Sequence, residues 1–267
     1  MTNVVIAGGA GRMGQALIGC VGRMPDLRVV GVVEAAGHPA LGADAGTVAG
    51  LGPLGVPVTT DLNPVLEKAD VLVDFSLHTG VPEHVNAAHA ARRAVVIGAT
   101  GLSEEETERV ARASAHIPIV WAPNMSLGVN LLFAMVRKAA AVLGRGYSVD
   151  IDETHHVHKK DAPSGTALRL GEKVAEGWGT DFGRVMRHEE GGSTLSAEPG
   201  HILIHSHREG EVVGDHTVRF DIGGESVSFT HRAFNREAFA MGALKAAAWV
   251  VSQRPRLYDM QDVLGLR

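Results

Sequence analysis

Residues 152–167 read DETHHVHKKDAPSGTA, placing three histidines, two lysines and a Pro-Ser-Gly turn in one short stretch. Imidazole and carboxylate are zinc donors, so His155, His156 and His158 with Asp161 could form a metal site. Two features oppose it. Neighbouring residues on a strand face opposite ways, which separates His155 from His156, and Lys159 and Lys160 repel a dication. No metal is assigned. A solvated basic loop would explain the lysines but not the Pro-Ser-Gly turn beside them. Pro163 and Ser164 open a helix whose first unpaired N–H groups are expected on Ser164, Gly165 and Thr166. Such a terminus beside two lysines attracts anions, and Gly165 has no side chain to keep a carboxylate away. The stretch therefore predicts a small acidic substrate. Histidine suits general acid catalysis near neutral pH, and a lysine can neutralise the substrate, orient it or deliver a proton.

A second constellation is VVIAGGAGRMG, residues 4–14. Gly9, Gly11 and Gly14 fit Gly-x-Gly-x-x-Gly, while Gly8, Gly11 and Gly14 fit Gly-x-x-Gly-x-x-Gly. The second register starts where the strand pattern ends and is preferred. Glycines here permit a tight turn and close backbone approach, and the helix after them offers its free N–H groups to a pyrophosphate. Glu34 ends the next strand about 20 residues on, where a carboxylate can accept hydrogen bonds from an adenosine ribose. Arg12 could meet a 2′-phosphate, yet Ala35 adds no cation beside Glu34, so NADH is expected ahead of NADPH. Further strand ends lie where the carboxyl edge of such a sheet meets its cofactor: Phe75 in DFS, Gly98 and Thr100 in GATG, and Ala122, Pro123 and Asn124 in APN. DFS fits a plain turn as well. The combined chemistry is hydride delivery to an electrophilic carbon, such as an imine, of an anionic substrate, with a proton from His or Lys.

These residues need a scaffold. Short apolar runs (NVVIAG, LRVVGVVE, VPVTT, VLVDFS, AVVIGAT, PIVWAPN) alternate with helical stretches at 14–23, 64–69, 82–92 and 103–114. That alternation predicts an α/β, Rossmann-like doubly wound parallel sheet. Ser103 with Glu106 forms a capping box at one helix start, and residues 36–57, rich in Gly, Pro and Ala, read as a loop excursion. After Asn124 the pattern changes. Helices at 129–143 and 165–175 accompany the strands YSVDIDETHH, HILIHSHR, EVVGDHTVRF and ESVSFTHRAF, and DIGG joins the last two as a tight hairpin. This predicts a second α+β domain with a mixed, mostly antiparallel sheet. An apolar helix at 236–253 needs a home and is expected to pack back on the first domain. The expected division is 1–126 with 236–267 for the dinucleotide, and 127–235 for substrate binding and oligomerisation.

Composition limits the alternatives. A chain of 267 residues with 45% hydrophobic and 21% charged residues is an ordinary globular protein. Its net charge of −5 and 4% aromatic content argue against nucleic-acid binding. No apolar run is long enough to span a bilayer, no basic leader precedes the first strand, and the lone Cys20 forms no internal disulfide. A cytoplasmic location is expected.

VVIAGGAGRMG, DFS, GATG, APNMSLGVN, DETHHVHKKDAPSGTA, VVGDHTVRF and HRAFNREAFAMGAL occur in the order and spacing of the dihydrodipicolinate reductase family, which the chain resembles over essentially its full length. The resemblance implies NAD(P)H-dependent reduction of 4-hydroxy-tetrahydrodipicolinate, with loss of water, in the diaminopimelate route to lysine. It also implies a homotetramer built through the C-terminal sheets. Carried over, His155 is the catalytic acid and Lys159 a proton donor or substrate-activating lysine. His156, Gly165, Thr166 and Arg236 fall at substrate contacts. Gly8, Gly11, Arg12, Met13, Glu34, Gly98, Thr100 and Ala122 to Met125 fall at cofactor contacts, and Gly14 completes the turn. The chain departs from the pattern at Ala35, where some relatives carry an arginine, and at His205 and His207, extra histidines that suit ordinary strand positions at a subunit surface.

Rival readings remain at this level. A short-chain dehydrogenase needs Tyr-x-x-x-Lys, but Ile151 stands at the lysine place after Tyr147 and Asp262 at the lysine place after Tyr258, so that chemistry is missing. An aspartate dehydrogenase or related amino-acid reductase would handle anions similarly. A redox sensor binding NADH and a dicarboxylate without turnover would call for a regulatory module, and none is visible.

Overall fold

A computed structural model of the chain describes residues 1–190 and 196–266. The chain forms two compact units, Met1–Ser126 with Arg236–Gly265, and Leu127–Asn235.

The first unit runs β1 (Thr2–Ala7), α1 (Arg12–Val21), β2 (Leu27–Val33), α2 (Ala45–Val48), β3 (Val58–Thr59), α3 (Leu62–Leu66), β4 (Val71–Asp74), α4 (Val81–Ala91), β5 (Ala94–Ile97), α5 (Glu104–Ser114) and β6 (Pro118–Trp121). The second unit contains α6 (Leu127–Leu143), β7 (Ser148–His155), α7 (Gly165–Trp178), α8 (Phe182–Val185), β8 (Met186–Glu190), β9 (Ile202–Arg208), β10 (Gly214–Asp221) and β11 (Ser226–Ala233). The chain then returns to the first unit with α9 (Glu237–Val250), β12 (Arg256–Tyr258) and α10 (Met260–Leu264).

Seven parallel strands in the order β12-β6-β5-β4-β1-β2-β3 make the first sheet. β4 and β5 are buried at every position because helices cover both faces, and continuous apolar runs suit only such a place. The order reverses between β1 and β4, so their carboxyl ends flank a crevice of the kind where doubly wound sheets take ligands. α9 packs on α1 and across β4, β5 and β6, which buries Ala240, Ala243, Leu244 and Ala247. The Ser103–Glu106 capping box is formed. Within residues 36–57 the excursion carries the short helix α2, because the Asp44 carboxylate accepts from the backbone N–H groups of Gly46, Thr47, Leu54, Gly55 and Val56.

The second sheet has the order β11-β10-β7-β9-β8. It is mixed, with two antiparallel pairings (β10 with β11 and β7) and two parallel ones (β9 with β7 and β8). The long crossover through α7 and α8 returns the chain in the same direction for β8, whereas the turn between Asp221 and Ser226 reverses it for β11. Gly223 takes φ +80° in that turn. One face of the sheet packs Val149, Ile151, Ile202, Ile204 and Val218 against α6 and α7. α8, β8, β12 and α10 were not expected: they are three to five residues long, too short to carry a period.

Candidate active site

In the first unit the glycine turn follows β1 directly. Gly8 adopts φ +73°, and a Cβ on it would lie 2.8 Å from the Phe75 carbonyl oxygen, so only glycine lets β1's turn meet the loop after β4. Gly14 brings α1 onto the turn, and its missing side chain is filled by the Gly8 and Gly9 backbone. Gly11 is the N-cap of α1, with Arg12 exposed and Met13 half-buried in its first turn. Glu34 stands just after β2. Its carboxylate accepts from the N–H of Ala10 at 3.0 Å and of Ala35 at 3.1 Å, which ties the acidic strand end to the glycine turn. Gly8, Glu34, Ala35, Ser76 and His84 line one cavity of about 340 Å³.

Because β1, β4, β5 and β6 are adjacent, the glycine turn, Phe75, Gly98–Thr100 and Ala122–Met125 succeed one another along the carboxyl edge. Phe75 lies on Gly98, where a Cβ would meet the ring at 2.2 Å. Thr100 is exposed, Ala122 and Met125 are buried, and Pro123 is exposed. The Asn124 side chain accepts from Ser126 N–H at 2.9 Å.

The second unit gathers the histidine cluster. Alternation on β7 turns Glu153 and His155 to the same side as Val149 and Ile151. Glu153 is fully buried and His155 is 8% exposed. Glu153 Oε2 accepts from His155 Nδ1, and Oε1 takes Arg208 Nη1 at 3.1 Å and Ser164 N–H at 3.2 Å. Burial alone would raise the Glu153 pKa, but the His155 bond, a bond from Ser206 and the Arg208 charge outweigh it and bring it down to about 2. A Cβ on Gly214 would sit 3.1 Å from His155 Nε2, so the absence of one leaves that nitrogen room for a partner. His156 is half-buried, its ring 6.0 Å from His158. Lys159 Nζ pairs with both carboxylate oxygens of Asp161, at 2.8 and 2.7 Å.

The unpaired N–H groups expected at the helix start do not include that of Ser164. Ser164 is the N-cap of α7, and its N–H is occupied by Glu153, because a buried carboxylate draws the nearest backbone donors. Its Oγ accepts from Ala167 N–H at 3.2 Å. The open position of the helix start is Gly165, exposed and with nothing within 4 Å of a Cβ; Thr166, half-buried, follows it. Arg236 is the N-cap of α9 and belongs to the first unit.

Sequence reasoning did not single out Glu153, Arg208, His216, Asp74 or His84. Glu153 was detectable, since a residue two before His155 on a strand shares its face. His216 faces Glu153 across the β7–β10 pairing. Its ring stands edge-on to His155 at 5.1 Å, with Nε2 3.3 Å from Ser164 Oγ. Burial, with the His155 charge adding to it, pushes the His216 pKa down to about 3. Glu153, His155 and His216 have donor atoms within 4.8 Å of one another, the spacing of a metal site. Here the Glu153 oxygens are already spent on His155, Arg208 and Ser164, a hydrogen-bonded arrangement beside a guanidinium. Asp74 is fully buried at the end of β4 and accepts from His84 Nδ1 at 2.8 Å and Ser76 N–H at 2.9 Å. His205, by contrast, is an interior partner, 3.3 Å from the buried Asp150.

The family model for the dihydrodipicolinate reductase N-terminus matches residues 2–125, and that for its C-terminus matches residues 128–264. A 4-hydroxy-tetrahydrodipicolinate reductase of Anaeromyxobacter dehalogenans is 51% identical, covering 100% of this chain and 99% of its own. That of Pelobacter propionicus is 45% identical, with 100% of both chains covered. Among solved structures, a dipicolinate-bound dihydrodipicolinate reductase from Paenisporosarcina sp. TG-14 superposes with a TM-score of 0.78 at 26% identity, covering 98% of each chain.

Proposed function

The chain belongs to the dihydrodipicolinate reductase family, and from that premise we propose that it reduces 4-hydroxy-tetrahydrodipicolinate to tetrahydrodipicolinate in lysine biosynthesis. One hydride and one proton are added and one water leaves. The observation that carries the reading is the fully buried Glu153 bonded to His155 beside the open helix start at Gly165.

When bound, a nicotinamide dinucleotide supplies the hydride. The residues of the first unit fit such a group: glycine at positions 8 and 14 lets the turn after β1 pack closely on α1 and the loop after β4, and Gly8 and Glu34 line the cavity beside that turn. Gly8, Gly11, Arg12, Met13 and Gly14 would hold the pyrophosphate, and Glu34 the adenosine ribose. Phe75, Gly98, Thr100 and Ala122 to Met125 would hold the remainder. NADH is favoured over NADPH because Glu34 repels a 2′-phosphate and Ala35 offers no compensating charge.

On the substrate side, the amides at Gly165 and Thr166 would bind one ring carboxylate. His156 and Arg236 are further substrate contacts on this reading. His155 would donate the proton from Nε2, since Nδ1 is engaged by Glu153. Lys159 would exchange Asp161 for the substrate, neutralising its charge and sharing the proton transfer. That the Paenisporosarcina reductase binds dipicolinate supports a ring dicarboxylate as ligand.

The test is nicotinamide absorbance with substrate generated in situ from pyruvate and aspartate semialdehyde, with NADH and NADPH in parallel. Substrate-dependent oxidation, faster with NADH at limiting concentration, is expected. No oxidation by protein that binds NADH would refute the activity, and faster oxidation with NADPH would refute the preference. A homotetramer in the cytoplasm is the matching physiological state, and light scattering tests the assembly. No described helix is long and apolar enough to cross a membrane.

A further inference from the structure

We infer that Glu153 and Arg208 form a positioning pair that orients both proton-handling side chains, Glu153 through the ring of His155 and Arg208 through the loop that carries Lys159. The inference rests on the proposed roles of His155 and Lys159.

Glu153 lies on the core-facing side of β7, fully buried, where a carboxylate persists only if its lone pairs are satisfied. His155, Arg208 and Ser164 satisfy them. An anionic acceptor at Nδ1 keeps that nitrogen protonated and leaves Nε2 as the exchanging atom, which sets the tautomer and the ring plane together. The same carboxylate grips Ser164 N–H at the start of α7, so the acid and the helix that opens at Gly165 share one anchor.

Arg208 is the other half. It pairs in register with His155 across β7 and β9, and its guanidinium reaches past the strand. Nε donates to the Lys159 carbonyl at 3.3 Å and Nη2 to the Asp161 carbonyl, while Nη1 meets Glu153 at 3.1 Å. These bonds strap down the segment between β7 and α7, including Lys159 and its partner Asp161. Lysine in place of Arg208 would retain the charge but lose the planar fork that serves three carbonyls, those of Lys159, Asp161 and His207, and a carboxylate at once. A pair that merely neutralised itself would need neither the His155 bond nor the two loop carbonyls.

Double-mutant cycles on the full chain decide the matter. Glu153→Gln should lower kcat by about 10²-fold, the scale of a misaligned reacting group, with KM and NADH affinity little changed. Combined with His155→Gln it should add nothing, because Glu153 acts through that ring. Nitrogen-15 spectra of the histidine rings should show His155 change from a single Nδ1–H tautomer to a mixture in Glu153→Gln. Arg208→Lys should behave likewise towards Lys159→Ala, and it carries the test should Glu153→Gln fail to fold. If His155→Gln and Lys159→Ala leave kcat intact, the proposed site falls and this inference with it. If they lower kcat but the second substitutions multiply the loss, or the tautomer is unchanged, the positioning role alone is refuted.

Discussion

Replacing Gly14 with alanine tests whether the glycine turn is the seat of dinucleotide binding. The added Cβ would lie 2.3 Å from the Gly8 carbonyl oxygen and 2.4 Å from Gly9 Cα. Restoring an ordinary contact of 3.4 Å requires the turn and α1 to part by about 1 Å. The turn cannot retreat freely. Gly8 already sits against the Phe75 backbone at φ +73°, and its oxygen accepts from Gly11 N–H at 3.1 Å. Overpacking costs about 1–3 kcal/mol and the lost turn hydrogen bond about 1 kcal/mol, so a destabilisation of roughly 2–4 kcal/mol is expected. Displacement of the pyrophosphate-facing amides by about 1 Å should weaken NADH binding by roughly 10²-fold, by analogy with the loss from a similar misplacement in catalysis. Titration calorimetry with NADH and urea unfolding read the two effects separately. Folded Gly14→Ala protein that binds NADH as wild type does would refute the assignment of this turn.

Gly165→Ala is the opposite case: the new Cβ meets nothing within 4 Å, so urea unfolding should show a gain of about 0.4–1 kcal/mol, while the substrate KM rises because the helix start is no longer open. A lower stability or an unchanged KM would count against the open site. Lys159→Ala should lower kcat by about 10²-fold or more in the coupled assay while leaving NADH binding alone; equal losses in both would place the lysine elsewhere in the reaction. His84 gives a pH test. Burial pulls its pKa down, but the Asp74 bond and charge, with Glu83 and Glu34, push it up by more, so the folded value lies above the ordinary 6.5. A raised folded pKa stabilises fully below the unfolded value, and the contribution is lost as pH rises through the folded one. The stability gap between wild type and His84→Asn should therefore narrow as pH climbs past the ordinary 6.5 and through the folded value; a gap that widened would contradict the Asp74 pairing.

Local features were legible without the structure because their causes are local. The alternation of apolar runs and helical stretches, the glycine turn, the Ser103 box and the helix opening near Ser164 each depend on neighbours within a few residues, through side-chain period, backbone freedom and end-capping. The Gly-Gly hairpin before β11 was readable for the same reason. Sheet order, strand pairing and the partners of buried charges were not, because they arise from packing between distant segments. Glu153 meets Arg208 across 55 residues and faces His216 only because β10 pairs with β7 in one register. Asp74 finds His84 because α4 lies beside the end of β4. The Ser164 amide, free by local rules, is taken by Glu153 because a desolvated carboxylate must collect donors wherever the fold brings them. Residue types and spacing thus determined what chemistry the chain carries, while tertiary packing decided which groups orient it.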